Sequence, residues 1–213
     1  MPDADIKTRL YAVKREIEDI LDEMEADDAP APAPADGPKL AVVVGHTKRS
    51  PGAYGQEPVG RNEYYWNSDL AARMKDQGPA HGLSLEVFFR DNGGVAGAYS
   101  RARDWGADGA IELHFNAATP AASGTETIVV TEVSKPLARA VQEAMVEALD
   151  LRDRGVKEPW QGRGHGSLTQ LEVPSVLIEP FFGSNTGDCA RAEERKDRLA
   201  TALVEAAAGV LAS

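Results

Sequence analysis

Five short apolar runs rich in β-branched residues alternate along this chain with segments of helical character. The runs are "KLAVVVG" from Lys39, "LSLEVFF" from Leu83, "DGAIELHFN" from Asp108, "GTETIVV" from Gly124 and "VPSVLIEPFF" from Val173. The first is continuously apolar, as expected of a strand buried on both faces. The segments "NEYYWNSDLAARMKDQ", "GAYSRARDWGA", "SKPLARAVQEAMVEALD" and "DCARAEERKDRLATALVEAAAGVLA" read as helices. The third of these has a serine cap and an apolar stripe, and the last reads as one long closing helix. Such alternation predicts an α/β fold: a twisted, mostly parallel sheet flanked by helices on both faces.

Two pieces precede this domain. Residues 1–26 carry apolar side chains at Ile6, Leu10, Val13, Ile17, Ile20 and Met24, at intervals of 4, 3, 4, 3 and 4. That spacing predicts an N-terminal amphipathic helix with a coiled-coil seam. Three heptads alone are marginal in water, so the seam needs a partner surface. It either lies on the domain behind it or makes the protein a homo-oligomer through residues 3–26. Residues 27–38 alternate Ala and Pro, which disfavours helix and sheet and reads as a semi-rigid extended linker spanning roughly 35 Å. The α/β domain then occupies residues 39–213.

Charge and composition exclude several functions. A net charge of -11 argues against nucleic acid, whose binding needs basic patches, and against anionic membranes. No apolar run approaches the roughly 20 residues of a membrane-spanning helix. The charged N-terminus lacks the short apolar core of a signal peptide, so the expectation is synthesis in the cytoplasm. One cysteine, Cys189, makes neither an intramolecular disulfide nor a cysteine-based zinc site. A metal here must be held by carboxylates and by the four histidines, at 46, 81, 114 and 165.

In open α/β sheets, sites gather beyond the carboxyl ends of the strands. His46 follows the first run, His114 ends the third and Glu179 ends the last, while Glu63 opens the first helix after the loop from His46. Two histidines and two glutamates thus project onto one sheet edge. A catalytic zinc takes three protein ligands, commonly two imidazoles and a carboxylate, and leaves a fourth position for water. A second carboxylate can take that water's proton and pass it to a leaving nitrogen. Composition alone does not assign which glutamate does which.

From about residue 40 to 211 the chain resembles the zinc-dependent N-acetylmuramoyl-L-alanine amidases, a family of cell-wall amidases and phage endolysins. The matching segments run in the family's order: "VVVGHTKRSPGA" with His46, "NEYYWNSDLA" with Glu63, "WGADGAIELHFNA" with His114, "GTETIVV", "LRDRGVK", and "VPSVLIEPFFGSN" with Glu179. The resemblance implies that His46, Glu63 and His114 hold one Zn2+ and that Glu179 is the catalytic glutamate. It implies a peptidoglycan substrate, cleaved between N-acetylmuramic acid and L-alanine of the stem peptide. Together with the charged N-terminus, it implies a phage or prophage endolysin that acts at the cell wall after release.

The chain departs from the family at three places. Val43-Val44 replace the usual Asp-Pro, Ala102-Arg103 replace an upstream Ala-Asn, and Glu112 replaces the serine two residues before the second histidine. Glu112 shares a strand face with His114, so it either orients that imidazole or is a polar residue at a sheet end. Arg90 and Asn116 match family positions near the site. His165, in the glycine-rich "QGRGHGSLTQ", either borders the cleft or is a surface loop residue. The aromatic cluster Tyr64, Tyr65 and Trp66 reads as core packing. Two other readings share the fold: a zinc peptidase cutting a peptide bond of the stem or cross-link, and a non-catalytic wall-binding or virion protein.

Overall fold

The computed structural model describes residues 37–159 and 162–212. The heptad segment 3–26, its self-association and the Ala-Pro linker before residue 37 lie outside the described residues. The elements begin with β1 (Lys39–Val44), α1 (Glu63–Gln77), β2 (Ser84–Phe89), α2 (Gly94–Trp105), β3 (Gly109–Leu113) and β4 (Thr125–Ile128). They continue with α3 (Lys135–Leu149), β5 (Asp153–Lys157), α4 (His165–Leu168), β6 (Ser175–Glu179), α5 (Thr186–Glu194) and α6 (Lys196–Leu211).

The six strands form one sheet in the order β2-β1-β3-β6-β4-β5. β1 pairs in parallel with β2 and β3, and β3 with β6. β4 runs antiparallel to β6 and parallel to β5, so the last two strands reverse direction. The expected mostly parallel sheet is present, with one antiparallel seam.

Strand alternation divides β1 between two cores. Leu40, Val42 and Val44 face a core that also takes in Leu70 and Met74 of α1, Val141 and Met145 of α3, and Leu199 and Leu203 of α6. Ala41 and Val43 face a smaller core containing Ala98, Tyr99 and Ala102 of α2. The residues replacing Asp-Pro, Val43 and Val44, are fully buried, one in each core. This is the period-2 burial that a two-sided strand requires.

The closing helix differs from expectation. It breaks at Arg195 (φ -113°, ψ 20°) into α5 and α6. The break points Lys196, only 4% exposed, inward. Its ammonium donates to Asp69 Oδ2 at 2.7 Å and to Glu193 Oε1 at 3.2 Å, and lies 5.1 Å from the centre of the Trp66 ring. An unbroken amphipathic helix leaves no reason to bury a lysine, so the pattern alone did not predict the turn. "LRDRGVK" also contains a strand, β5, that its mixed polarity conceals.

Candidate active site

The site forms where β1, β3 and β6 end and α1 begins. β1 hands the chain to Gly45, whose N–H still bonds Leu113 O at 3.0 Å. A Cβ there would lie 2.4 Å from His114 Cε1 and 2.6 Å from Leu113 O, so glycine lets the imidazole close over the strand. His46 then adopts a left-handed backbone, φ 66°. Non-glycine residues rarely occupy this region, and here it ends the strand abruptly. Gly52, φ 81°, makes a second close approach: a Cβ would be 2.7 Å from both Glu63 Oε2 and His46 Cδ2.

Glu63 is the first residue of α1 and is 3% exposed. Its carboxylate accepts from the N–H groups of Ala53 at 3.3 Å and Phe115 at 3.1 Å. Oε2 lies 3.1 Å from His46 Nε2, and Oε1 lies 2.7 Å from His114 Nδ1. The three side chains offer ligand atoms within 4.8 Å of one another, a group able to hold a metal ion. Burial alone raises the Glu63 carboxyl, but hydrogen bonds and charge from His114 and His46 outweigh it and hold it at about 2.

Beneath the site an aromatic cluster joins the same three elements. Trp66 of α1 and Phe115, next to His114, each lie 4.8 Å from Phe181, two residues past Glu179. Such edge and tilted contacts contribute about 0.5–1.5 kcal/mol per pair beyond area burial. The packing ties the positions of Glu63, His114 and Glu179 together.

The far side of His114 is equally ordered. Glu112, fully buried, places Oε1 2.8 Å from His114 Nε2. Tyr99 donates its hydroxyl to Glu112 Oε2 at 2.7 Å, and Arg90 donates to Oε1. Desolvation would push Glu112 up, yet these partners hold it at about 2. His114 responds in kind: burial lowers it, but the hydrogen bonds it donates to Glu112 and Glu63, and their charge, lift it to about 9.

Glu179 ends β6 and is 5% exposed. Burial raises its carboxyl to about 7, with Glu126 and Glu63 adding to the rise while Arg163 and His114 oppose it. The antiparallel register sets Glu126 of β4 opposite Glu179. Arg163 bridges the two, with Nη1 3.3 Å from Glu179 Oε1 and Nη2 donating to Glu126 Oε1. Glu126 also accepts from Arg154 Nε at 2.7 Å and Asn116 Nδ2 at 3.0 Å. His46, Glu63, Arg90, Glu112, His114, Asn116, Arg163 and Glu179 all line one cleft of roughly 680 Å³.

The family model for N-acetylmuramoyl-L-alanine amidases matches residues 40–208. The chain belongs to that family. The amidase is 30% identical over 190 residues to the uncharacterized protein YqiI of Bacillus subtilis, covering 83% of this chain and 86% of that one. It is 29% identical over 180 residues to the N-acetylmuramoyl-L-alanine amidase LytC of Bacillus subtilis, covering 80% of this chain and 35% of LytC. Among solved structures, an N-acetylmuramoyl-L-alanine amidase from Clostridium difficile 630 shares the fold with TM-score 0.72 and 23% identity, covering 84% of this chain and 98% of that one. The catalytic domain of the CD27L endolysin targeting Clostridia Difficile shares it with TM-score 0.67 and 24% identity, covering 79% and 95%.

Within this amidase, seven of the eight residues singled out from the sequence meet in the cleft. His165 does not: it lines a separate cavity of roughly 330 Å³ beside Thr131, Lys135 and Glu158, while its neighbours Gly164, Gly166 and Ser167 face the cleft. Tyr64 and Trp66 are buried as expected, but Tyr65 is 47% exposed. Glu126 and Arg163 escape the sequence reading. The available signal is a glutamate inside the otherwise uncharged run "GTETIVV", because a charge buried there demands a cationic partner.

Proposed function

We propose that this amidase cleaves the amide between the lactyl group of N-acetylmuramic acid and L-alanine of the stem peptide, using one Zn2+ held by His46, Glu63 and His114. The observation carrying this reading is the convergence of two imidazoles and a buried carboxylate beside Glu179 in one cleft. The donor set suits zinc, which favours nitrogen and oxygen ligands of this kind with a position left open. The close approaches at Gly45 and Gly52 support the fit, because they leave the donors room to converge. When bound, zinc supplies a Lewis acid for the scissile carbonyl and acidifies a water.

The chain's own residues do the rest. Glu179, with its carboxyl near 7, is poised to accept a proton from water at neutral pH and return it to the departing nitrogen. Glu112 holds His114 Nε2, which leaves Nδ1 facing Glu63 and the proposed metal position. Phe115 and Ala53 fix Glu63 through their N–H groups, so it enters the site without searching rotamers.

Glu179→Gln should retain stoichiometric zinc by elemental analysis yet lose activity on purified peptidoglycan. His46→Ala should lose the zinc itself. Mass analysis of the products should find new L-alanine amino termini; new cuts within the peptide would instead make the enzyme a zinc peptidase. We extend the reading to a lytic role of the endolysin kind, for which turbidity of isolated cell walls should fall with the purified protein alone. The heptad spacing of residues 3–26 supports self-association, and light scattering with and without residues 1–38 tests it: one monomeric mass for both forms removes the idea.

A further inference from the structure

Arg163 lies in a glycine loop shaped to aim it. Gly162 (φ 102°) and Gly164 (φ 80°) flank it in left-handed conformations. A Cβ at Gly164 would sit 3.1 Å from Ile128 of β4 and 3.7 Å from Leu177 of β6, so the loop presses directly on the antiparallel seam. That seam is where Glu126 and Glu179 stand opposite each other. Like charges in directly opposed positions repel, and burial strengthens the effect.

Glu126 does not need Arg163 for its own burial, since Arg154 and Asn116 already bond it. Glu179 has no such reserve. Among the described residues Arg163 is the cation paired with it, and the Arg163 side chain is 46% exposed at the cleft wall. We propose that Arg163 is a positioning residue: it separates Glu179 from Glu126 and holds the Glu179 carboxylate in the orientation from which it transfers a proton. The proposal rests on the reading of Glu179 given above. Other charged groups near Glu179 are His114 from β3, Glu63 from α1 and Glu126 from β4, with Arg154 of β5 acting through Glu126.

The test uses the zinc-loaded full chain and a soluble N-acetylmuramoyl-peptide. Arg163→Met should lower kcat by about ten- to a hundredfold, the scale expected of a displaced catalytic group, with KM changed less than about threefold. Zinc content should stay near wild type. Arg163→Lys keeps the charge but not the two-armed reach and should recover part of the kcat. The decisive variant is Arg163→Met/Glu126→Gln: removing the opposed charge should restore part of the kcat lost in the single variant. A wild-type kcat in Arg163→Met overturns the proposal, as does a double variant no faster than the single. Glu179→Gln runs alongside: if it is active, the reading of Glu179 fails; if it is inactive while Arg163→Met is fast, only the positioning role fails.

Discussion

Glu112 is a charge shut off from solvent, and His114 is one of its three partners. An unpaired buried carboxylate is strongly destabilising, but here Arg90, Tyr99 and His114 share it. Its effect is to fix which imidazole nitrogen faces Glu63. Glu112→Gln keeps the shape and loses the charge, so the ring is held less firmly. Zinc affinity should fall about 10- to 100-fold, read by competition with a chelator of known affinity. Unchanged affinity would reduce Glu112 to a packing role. Residues of this kind differ in legibility. His46, His114 and Glu179 stand out because each is a polar group ending an apolar run. Glu126 sits inside such a run and looks like ordinary strand alternation. Its partners Arg154 and Arg163 lie 28 and 37 residues further on, and nothing local ties them to it.

At the scale of elements, the break between α5 and α6 trades helical continuity for a half-buried ionic cluster around the buried Lys196. Lys196 joins Asp69 of α1 to Glu193 of α5, and Arg73 and Arg61 also reach Asp69. Burial raises the Asp69 carboxyl, but Lys196 and the two arginines outweigh it and hold it below its ordinary 3.8. A carboxyl lowered in the folded state contributes stability that is complete above its unfolded pKa. That stability is lost as pH falls through the lowered folded value. Asp69→Asn should therefore cost about 1.5–3 kcal/mol at pH 7, the range for hydrogen bonds to charged groups. The difference should shrink once the pH drops below about 4. Urea unfolding of both proteins across this range, with chelator present, checks it; a gap independent of pH would place the effect in packing. The helices themselves are legible from their period, as α3 is, but the expected serine cap is not made: Ser134 Oγ instead accepts from Ser175 N–H at 2.8 Å. The kink is not legible, because its cause is a lysine partnered by a helix more than a hundred residues away.

For the whole molecule, the site depends on a sheet assembled from distant segments. Strand existence is readable from apolar runs, but the reversal at β4 depends on how β4 and β6 pair, which no local pattern specifies. The proposed ligands come from the end of β1, the start of α1 and the end of β3, so one ion would tie three elements together. The folded arrangement also carries a left-handed His46 and a glutamate buried between two imidazoles, features the unfolded chain does not keep. A metal bound by the native state alone stabilises it by RT ln(1 + [L]/Kd), about 2.7 kcal/mol when free zinc is 100 times Kd. For a domain of this size each kcal/mol moves Tm by about 2–4 °C. Chelation of the wild-type protein should therefore lower Tm by about 5–10 °C, reversed by added zinc. In His46→Ala the ligand set is incomplete, so chelation should move Tm by less than about 2 °C. An equal shift in both proteins would mean that the ion stabilising the fold binds elsewhere, and the His46-Glu63-His114 assignment would fall with it.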